Sequence, residues 1–372
     1  MLKVMTVVGT RPEIIKLSRV ISELDKSFEH ILVHTGQNYD YELNEIFFND
    51  MNIRKPDVFL NCAAQSPAQA IANIISSVDT ILEKEEPDAF LIYGDTNSCL
   101  SSISAKRRKV PIFHMEAGNR SFDERVPEEI NRRIVDHTSD INMTITDHAR
   151  KYLIQEGIKA QTIFKIGSSM QEVLSFYNEK IKSSPILGNL DLQSRKYIVF
   201  STHREENLDS NWSFTALVKS INDTAASFGL PIIYSAHPRF IKTLDMSELK
   251  LHGNVRILKP LGFLDYMHLQ LNAFCVISDS GTIFEESSLC SFPAVTIRFA
   301  HERPEGFDEG TVVLSNPLDG SLIESIRLVT EQHARGFRST LVGDYAGSKV
   351  SVKVARIISS YVTYVNQTVW RK

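Results

Sequence analysis

The chain has 372 residues, 42% of them hydrophobic and 23% charged, which is long enough for two domains with full cores and ordinary for a soluble protein. A net charge of -4 gives no general attraction for nucleic acid or anionic membrane, so an anionic ligand has to be met by local arginines and helix ends. No apolar run approaches the roughly 20 residues of a membrane span, the chain enters a strand without a signal peptide, and the four cysteines, Cys62, Cys99, Cys275 and Cys290, share no metal or disulfide spacing; the expected setting is the reducing cytoplasm.

In chain order, Leu2 to Val8 is a predicted strand that breaks at Gly9-Thr10-Arg11-Pro12-Glu13, after which Ile14, Leu17, Val20, Ile21 and Leu24 recur at helical spacing. That turn puts free backbone N–H groups and Arg11 at one point, as an anion site requires. A second strand, His30 to His34, ends at Thr35-Gly36-Gln37-Asn38-Tyr39-Asp40. Ala68 to Leu82 is helical, and Asp88 to Tyr93 is a strand ending at Gly94-Asp95-Thr96-Asn97. Asp95 there fits a helix cap as well as a functional acid. Val110 to Phe113 is a buried strand that empties into His114-Met115-Glu116-Ala117-Gly118-Asn119-Arg120. Pro127 then opens a helix whose first turn holds Glu128 and Glu129. Strands at Ile141 to Thr146 and Gln161 to Ile166 complete a βαβα alternation, which builds a parallel sheet with helices on both faces.

The polar segment Lys180 to Arg195 has a linker's composition. The alternation then restarts: Tyr197 to Thr202 runs into His203-Arg204-Glu205, Pro231 to Ser235 into Ala236-His237-Pro238-Arg239, and Phe274 to Ser278 into Asp279-Ser280-Gly281-Thr282 before the helix Ile283 to Leu289. Pro293 to Ile297 ends at Arg298, ahead of His301-Glu302-Arg303-Pro304-Glu305. The expected architecture is therefore α/β: two Rossmann-like domains facing across a cleft. They span residues 1–180 and 181–348, with a last helix within 349–372 crossing back to the first.

Polar groups collect at the carboxyl ends of these strands, where open α/β sheets bind ligands. Ser280-Gly281-Thr282 before a helix is the clearest anion site, because glycine lets the backbone approach and the dipole favours phosphate oxygens. Glu286 one turn on is placed to accept from a ribose diol, although Glu285-Glu286 equally fits an ordinary first turn. His203, His237, Arg11, Arg204 and Arg303 are candidate donors around a diphosphate, and Asp95, Glu116 and Glu128 are candidate carboxylates for proton transfer. There is no Walker A motif, zinc pattern or nucleophile elbow. The residues point to a cleft enzyme for a nucleotide-linked or phosphorylated substrate, with neither metal nor cofactor expected.

Gly9-Thr10-Arg11-Pro12-Glu13, Gly94-Asp95-Thr96, Glu116-Ala117-Gly118, Pro127-Glu128-Glu129-Ile130-Asn131-Arg132, Thr202-His203-Arg204-Glu205, Asp279-Ser280-Gly281 with Glu285-Glu286, and Glu302-Arg303-Pro304-Glu305 together resemble the non-hydrolysing UDP-N-acetylglucosamine 2-epimerases, in order and over nearly the whole chain. The resemblance implies the glycosyltransferase-B arrangement, a homodimer, and inversion at C2 of a UDP-N-acetylhexosamine by elimination of UDP and its readdition. It also implies Asp95, Glu116 and Glu128 as acid/base groups and His203 beside the diphosphate, with Arg11, Ser280, Gly281 and Glu286 holding UDP. Where UDP-N-acetylglucosamine enzymes carry Gln-His-Arg, this chain reads Gly36-Gln37-Asn38-Tyr39-Asp40-Tyr41-Glu42. That segment, with Asn119 to Pro127 and Ala300 to Gly306, looks more like the branch forming UDP-N-acetyl-L-fucosamine from UDP-2-acetamido-2,6-dideoxy-L-talose, in capsule and O-antigen synthesis. Phe299 stands where relatives carry an acidic residue. The competing expectations are a UDP-N-acetylglucosamine 2-epimerase proper, giving UDP-N-acetylmannosamine, a hydrolysing epimerase, and a UDP-sugar binding or transfer module without epimerisation.

Overall fold

Strands buried on both faces read as continuous apolar runs, and the runs of this chain behave that way because helices cover both sides of each sheet. The computed structural model describes residues 1–37, 48, 50–202, 211–236, 238–259, 261–298, 300–316, 319–347 and 349–372. They divide into two units, Met1–Phe176 with Gly343–Lys372, and Tyr177–Val342. The expected boundaries lie a few residues further along; Tyr177 goes with the second unit because its ring meets Phe263 edge-on, 6.5 Å between centroids.

The first unit holds β1 (Lys3–Val8), β2 (Glu29–His34), β3 (Val58–Phe59), β4 (Ala89–Tyr93), β5 (Ile112–Met115), β6 (Ile141–Thr144) and β7 (Ile163–Lys165). All pair in parallel, in the order β3-β2-β1-β4-β5-β6-β7. Side chains alternate between two cores. Val4, Val8, Leu91, Tyr93, Phe113 and Met115 join one, under the helices Arg11–Ser27 and Val350–Val365. Met5, Val7, Phe90, Ile92 and Ile112 join the other, with Ile74, Val78 and Leu82 of the helix Pro67–Glu85.

The helix Arg11–Ser27 starts where Pro12 supplies a preset φ and Glu13 folds back to accept from the Gly9 and Thr10 N–H groups, a capping box. The late helix Val350–Val365 puts Val350, Val354, Ile358, Val362 and Val365 in the same core, each at most 4% exposed. At about 1.5–3 kcal/mol for each aliphatic side chain buried, that stripe binds the end of the chain firmly to the first unit.

The second unit holds β8 (Ile198–Thr202), β9 (Ile232–Ala236), β10 (Val255–Leu258), β11 (Cys275–Ser278), β12 (Ala294–Ile297) and β13 (Val313–Ser315), parallel in the order β10-β9-β8-β11-β12-β13. The segment 180–195, expected as a linker, is packed instead. Its helix Ile186–Asn189 buries Ile186 with Tyr197 and Phe284, and Leu187, Leu190 and Leu192 lie against the same core. In both sheets the order reverses beside the first strand, at β1/β4 and at β8/β11, and ligands of open α/β sheets bind at such points, outside the carboxyl ends of the strands.

Candidate active site

At the first unit's reversal point, β1 runs into Gly9 and β4 into Gly94 and Asp95. A Cβ on Gly9 would lie 2.0 Å from the Ser98 hydroxyl and 2.4 Å from that of Thr35, so glycine is what lets these turns close up. Glu13, 2% exposed, ties them: one carboxylate oxygen accepts from the N–H groups of Gly9 and Thr10, both at 2.7 Å, and the other from the Thr96 hydroxyl at 2.8 Å. Burial pushes its carboxyl up to about 7, against the pull of those donors. Gln37 joins the group by accepting from the Ser98 backbone and hydroxyl, at 3.1 and 2.9 Å.

The turns bearing Asp95 and Glu116 are neighbours, since β4 pairs with β5 and the Gly94 N–H donates to the Met115 carbonyl at 2.9 Å. Glu116 follows β5 directly with φ of +60°, a left-handed conformation that costs a residue with a side chain about 1–3 kcal/mol. Its Oε2 accepts from Lys16 Nζ at 2.7 Å and from the Tyr93 hydroxyl at 2.5 Å. Lys16 is 3% exposed and its ammonium lies 5.6 Å from the centre of the Tyr93 ring. Neither partner was singled out from sequence; the available signal was a lysine on the buried face of the first helix, in register with Glu13, Leu17 and Val20.

Asp95 accepts from Arg132 Nε at 2.7 Å through its side chain, and from Asn131 Nδ2 at 2.9 Å through its carbonyl. Both come from the helix Pro127–Thr138. In its first turn Glu129, not Glu128, is the buried acid. It accepts from the Ser121 N–H and hydroxyl and from Arg132. Burial raises its pKa, but these donors win and hold it below the usual carboxylate range. Glu128 is exposed at the second helical position, and Arg11 is half-buried at the start of its helix.

In the second unit, β11 leads into Asp279-Ser280-Gly281-Thr282 ahead of the helix Ile283–Cys290. The Ser280 N–H donates to the Ser278 hydroxyl at 3.1 Å, and the Ser280 and Thr282 hydroxyls lie 3.0 Å apart. Gly281 has no room for a side chain, because a Cβ would approach Glu302 Oε1 to 2.7 Å. Glu302 is in turn held by Arg298 at 2.7 Å. Glu286 is buried and accepts from Gln270 Nε2 at 2.9 Å. Arg303 is buried as well, its guanidinium 3.5 Å from Glu285 under the helix. His203, Arg204, His237, Phe299 and the segment from Asn38 to Leu43 lie outside the described residues. Among the described residues no group of three or more His, Cys, Asp or Glu is arranged to hold a metal ion, and no helix is long and apolar enough to cross a membrane.

The family model for UDP-N-acetylglucosamine 2-epimerase matches residues 22–359. A UDP-N-acetylglucosamine 2-epimerase of Methanococcus maripaludis is 35% identical over 365 residues, covering 95% of this chain and 98% of the relative. Among solved structures, a UDP-N-acetylglucosamine 2-epimerase from Rickettsia bellii superposes with a TM-score of 0.93 at 52% identity, covering 100% of both chains. The Methanocaldococcus jannaschii UDP-GlcNAc 2-epimerase in complex with UDP-GlcNAc and UDP gives 0.89 at 29% identity, covering 96% of this chain and 100% of that one. Similarity that extends over both sheets makes this chain an isomerase, and it belongs to the UDP-N-acetylglucosamine 2-epimerase family.

Proposed function

We propose that this chain inverts C2 of a UDP-linked 2-acetamido sugar, taking UDP-2-acetamido-2,6-dideoxy-L-talose to UDP-N-acetyl-L-fucosamine. The observation that carries the C2 chemistry is Glu116, held in a left-handed turn beside the Asp95 turn with a buried ammonium and a phenol on one carboxylate oxygen. The C2 hydrogen is not next to a carbonyl, so it can leave only as the anomeric C1–O bond breaks and its electron pair goes to the diphosphate. A carboxylate takes the C2 proton and UDP leaves, giving a 2-acetamidoglycal. A proton then returns to the opposite face of C2 as the diphosphate oxygen re-forms its bond to C1.

Asp95, Glu116 and Glu128 are the proposed proton carriers. Lys16 and Tyr93 hold the Glu116 carboxylate in place, and Arg132 that of Asp95. Ser280, Gly281 and Thr282 are assigned to the diphosphate, with Arg11, His203, Arg204 and His237 as further donors, and Glu286 to the ribose; Arg303 braces Glu285 in the same helix. A homodimer in the cytoplasm belongs to the same reading. What supports the L-talose branch is Gly36-Gln37-Asn38-Tyr39 in place of Gln-His-Arg. The second reading, UDP-N-acetylglucosamine as substrate, is favoured by the name of the Rickettsia bellii structure at 52% identity.

NMR of the purified protein in D2O with each sugar nucleotide decides between them. Deuterium is expected at C2 of the L-talose sugar together with the L-fucosamine product. Deuterium in UDP-N-acetylglucosamine alone would move the chain to the second reading. UDP binding without exchange in either would make it a binding or transfer module.

A further inference from the structure

Behind the two acid-bearing turns runs a mostly buried chain of acidic and basic side chains that the chemistry above does not use. Glu156, just past the helix Asp147–Gln155, takes a fork from Arg120, with Nε at 2.7 Å and one terminal nitrogen at 2.6 Å. The other terminal nitrogen of Arg120 reaches Asp136 at 2.7 Å. Asp136 lies 2.9 Å from His114 Nδ1, and His114 Nε2 is 2.7 Å from the carbonyl oxygen of Gly94. The side chains of His114, Asp136 and Arg120 are 0–1% exposed. Nε2, facing a carbonyl oxygen, is a donor, and Nδ1 stands within ion-pair distance of the Asp136 carboxylate. Burial alone would raise the pKa of Asp136, but His114 and Arg120 hold it below the usual range, which keeps it the matching anion.

The two ends of the His114–Asp136 pair are aimed at backbone, and at two particular places. His114 Nε2 donates to Gly94, the residue before Asp95. Asp136 accepts the Gly118 N–H on both carboxylate oxygens at 3.2 Å, two residues after Glu116 in its left-handed turn. A left-handed non-glycine residue persists only where its surroundings over-determine it, and this carboxylate is one of the groups that do so. A pair meant only for stability has no reason to end on those two turns, and hydrophobic residues of similar volume commonly replace such pairs without loss.

We propose that His114 and Asp136 are positioning residues for epimerisation, clamping the turns of Asp95 and Glu116 in one relative geometry. This rests on the C2 epimerase reading. Misplacing a reacting group by about 1 Å costs on the order of 100-fold in rate, and that is the scale of effect expected.

The test uses His114→Gln and His114→Asn in the full-length chain, measuring thermal stability, UDP affinity, and kcat and KM for C2 exchange. The Asn amide reaches the Nδ1 position and keeps the link to Asp136 but abandons Gly94. The Gln amide reaches the Nε2 position and keeps an N–H on the Gly94 carbonyl but abandons Asp136. Each variant breaks one of the two links, so both are expected to lower kcat by about 100-fold with UDP affinity and KM unchanged and with thermal stability close to wild type. Wild-type kcat in either variant, or kcat and UDP affinity falling together, would overturn the proposal. Should neither variant fold, Asp136→Asn, of the same shape, decides it: kcat lowered at unchanged UDP affinity supports the clamp and unchanged kcat refutes it. A wild-type protein with no C2 exchange on any UDP-N-acetylhexosamine would refute the epimerase reading and the clamp with it, whereas an active wild type with insensitive variants would refute the clamp alone.

Discussion

Replacing Glu13 with Gln should make the first unit more stable above neutral pH and leave it little changed in mild acid. In the folded chain the carboxyl titrates at about 7 against an ordinary 4.5, because burial outweighs four donated hydrogen bonds. Between those values the native state binds the proton that the unfolded chain has released, so stability falls as pH rises from 4.5 to 7 and the loss is complete above 7. The gap, 7 less 4.5, at about 1.4 kcal/mol per pH unit, amounts to roughly 3 kcal/mol. Glutamine keeps an oxygen for the Gly9 and Thr10 N–H groups and turns its amide toward the Thr96 hydroxyl, so most of the bonding survives without the charge. The chain has two tryptophans, and Trp370 lies in the first unit with Lys106 over its ring. In a Trp212→Phe background, urea unfolding followed by Trp370 fluorescence at pH 5 and pH 8 isolates that unit. The variant is expected to lie within about 1 kcal/mol of wild type at pH 5 and to exceed it by roughly 3 kcal/mol at pH 8. The same difference at both values would mean that Glu13 titrates normally and that its donors offset its burial.

His34 works in the opposite direction: burial against Phe59 lowers its pKa from 6.5 to about 4, so stability falls as pH drops from 6.5 toward 4 while the unfolded chain takes up the proton. His34→Asn, which keeps an acceptor for the Gly36 N–H but cannot become charged, should remove most of that acid sensitivity in the same urea series; an unchanged slope would contradict it. Lys16→Met leaves Glu116 with the Tyr93 hydroxyl but without its ammonium, and C2 deuterium exchange should fall by roughly 100-fold at unchanged UDP affinity. Exchange at the wild-type rate would mean that the ion pair serves folding only.

Repetition is what made the fold readable. The buried strands β1, β4, β5, β8 and β11 announce themselves as apolar runs closing on glycine, acid or, after β8, histidine, and the helices between them carry their stripes plainly. The strands not anticipated, β3, β10 and β13, all lie at sheet edges, where one side lacks a partner and most residues are partly exposed, and apolar stretches as short as Val58-Phe59-Leu60 and Val312-Val313-Leu314 do not stand out as strands. The candidate site was legible through residues that stand at strand ends: Asp95, Glu116, Ser280 and Gly281. Lys16, Tyr93 and Glu129 were not, since each sits inside an element where pattern alone assigns a core or first-turn role; only the fold brings Lys16 across 100 residues to Glu116. The clamp behind them was equally hidden, because His114 reads as the start of a charged loop and Asp136 as a helix residue.

The helix Val350–Val365 also bears on how the protein is made. Its stripe completes a core whose other members come from the first 170 residues, so during synthesis the first unit waits, its apolar face uncovered, while the whole second unit leaves the ribosome. Domains commonly fold in the order of their synthesis, but here the second unit can finish first. Removing this last helix should therefore expose the early part of the chain to chaperones and proteases more than its small size suggests.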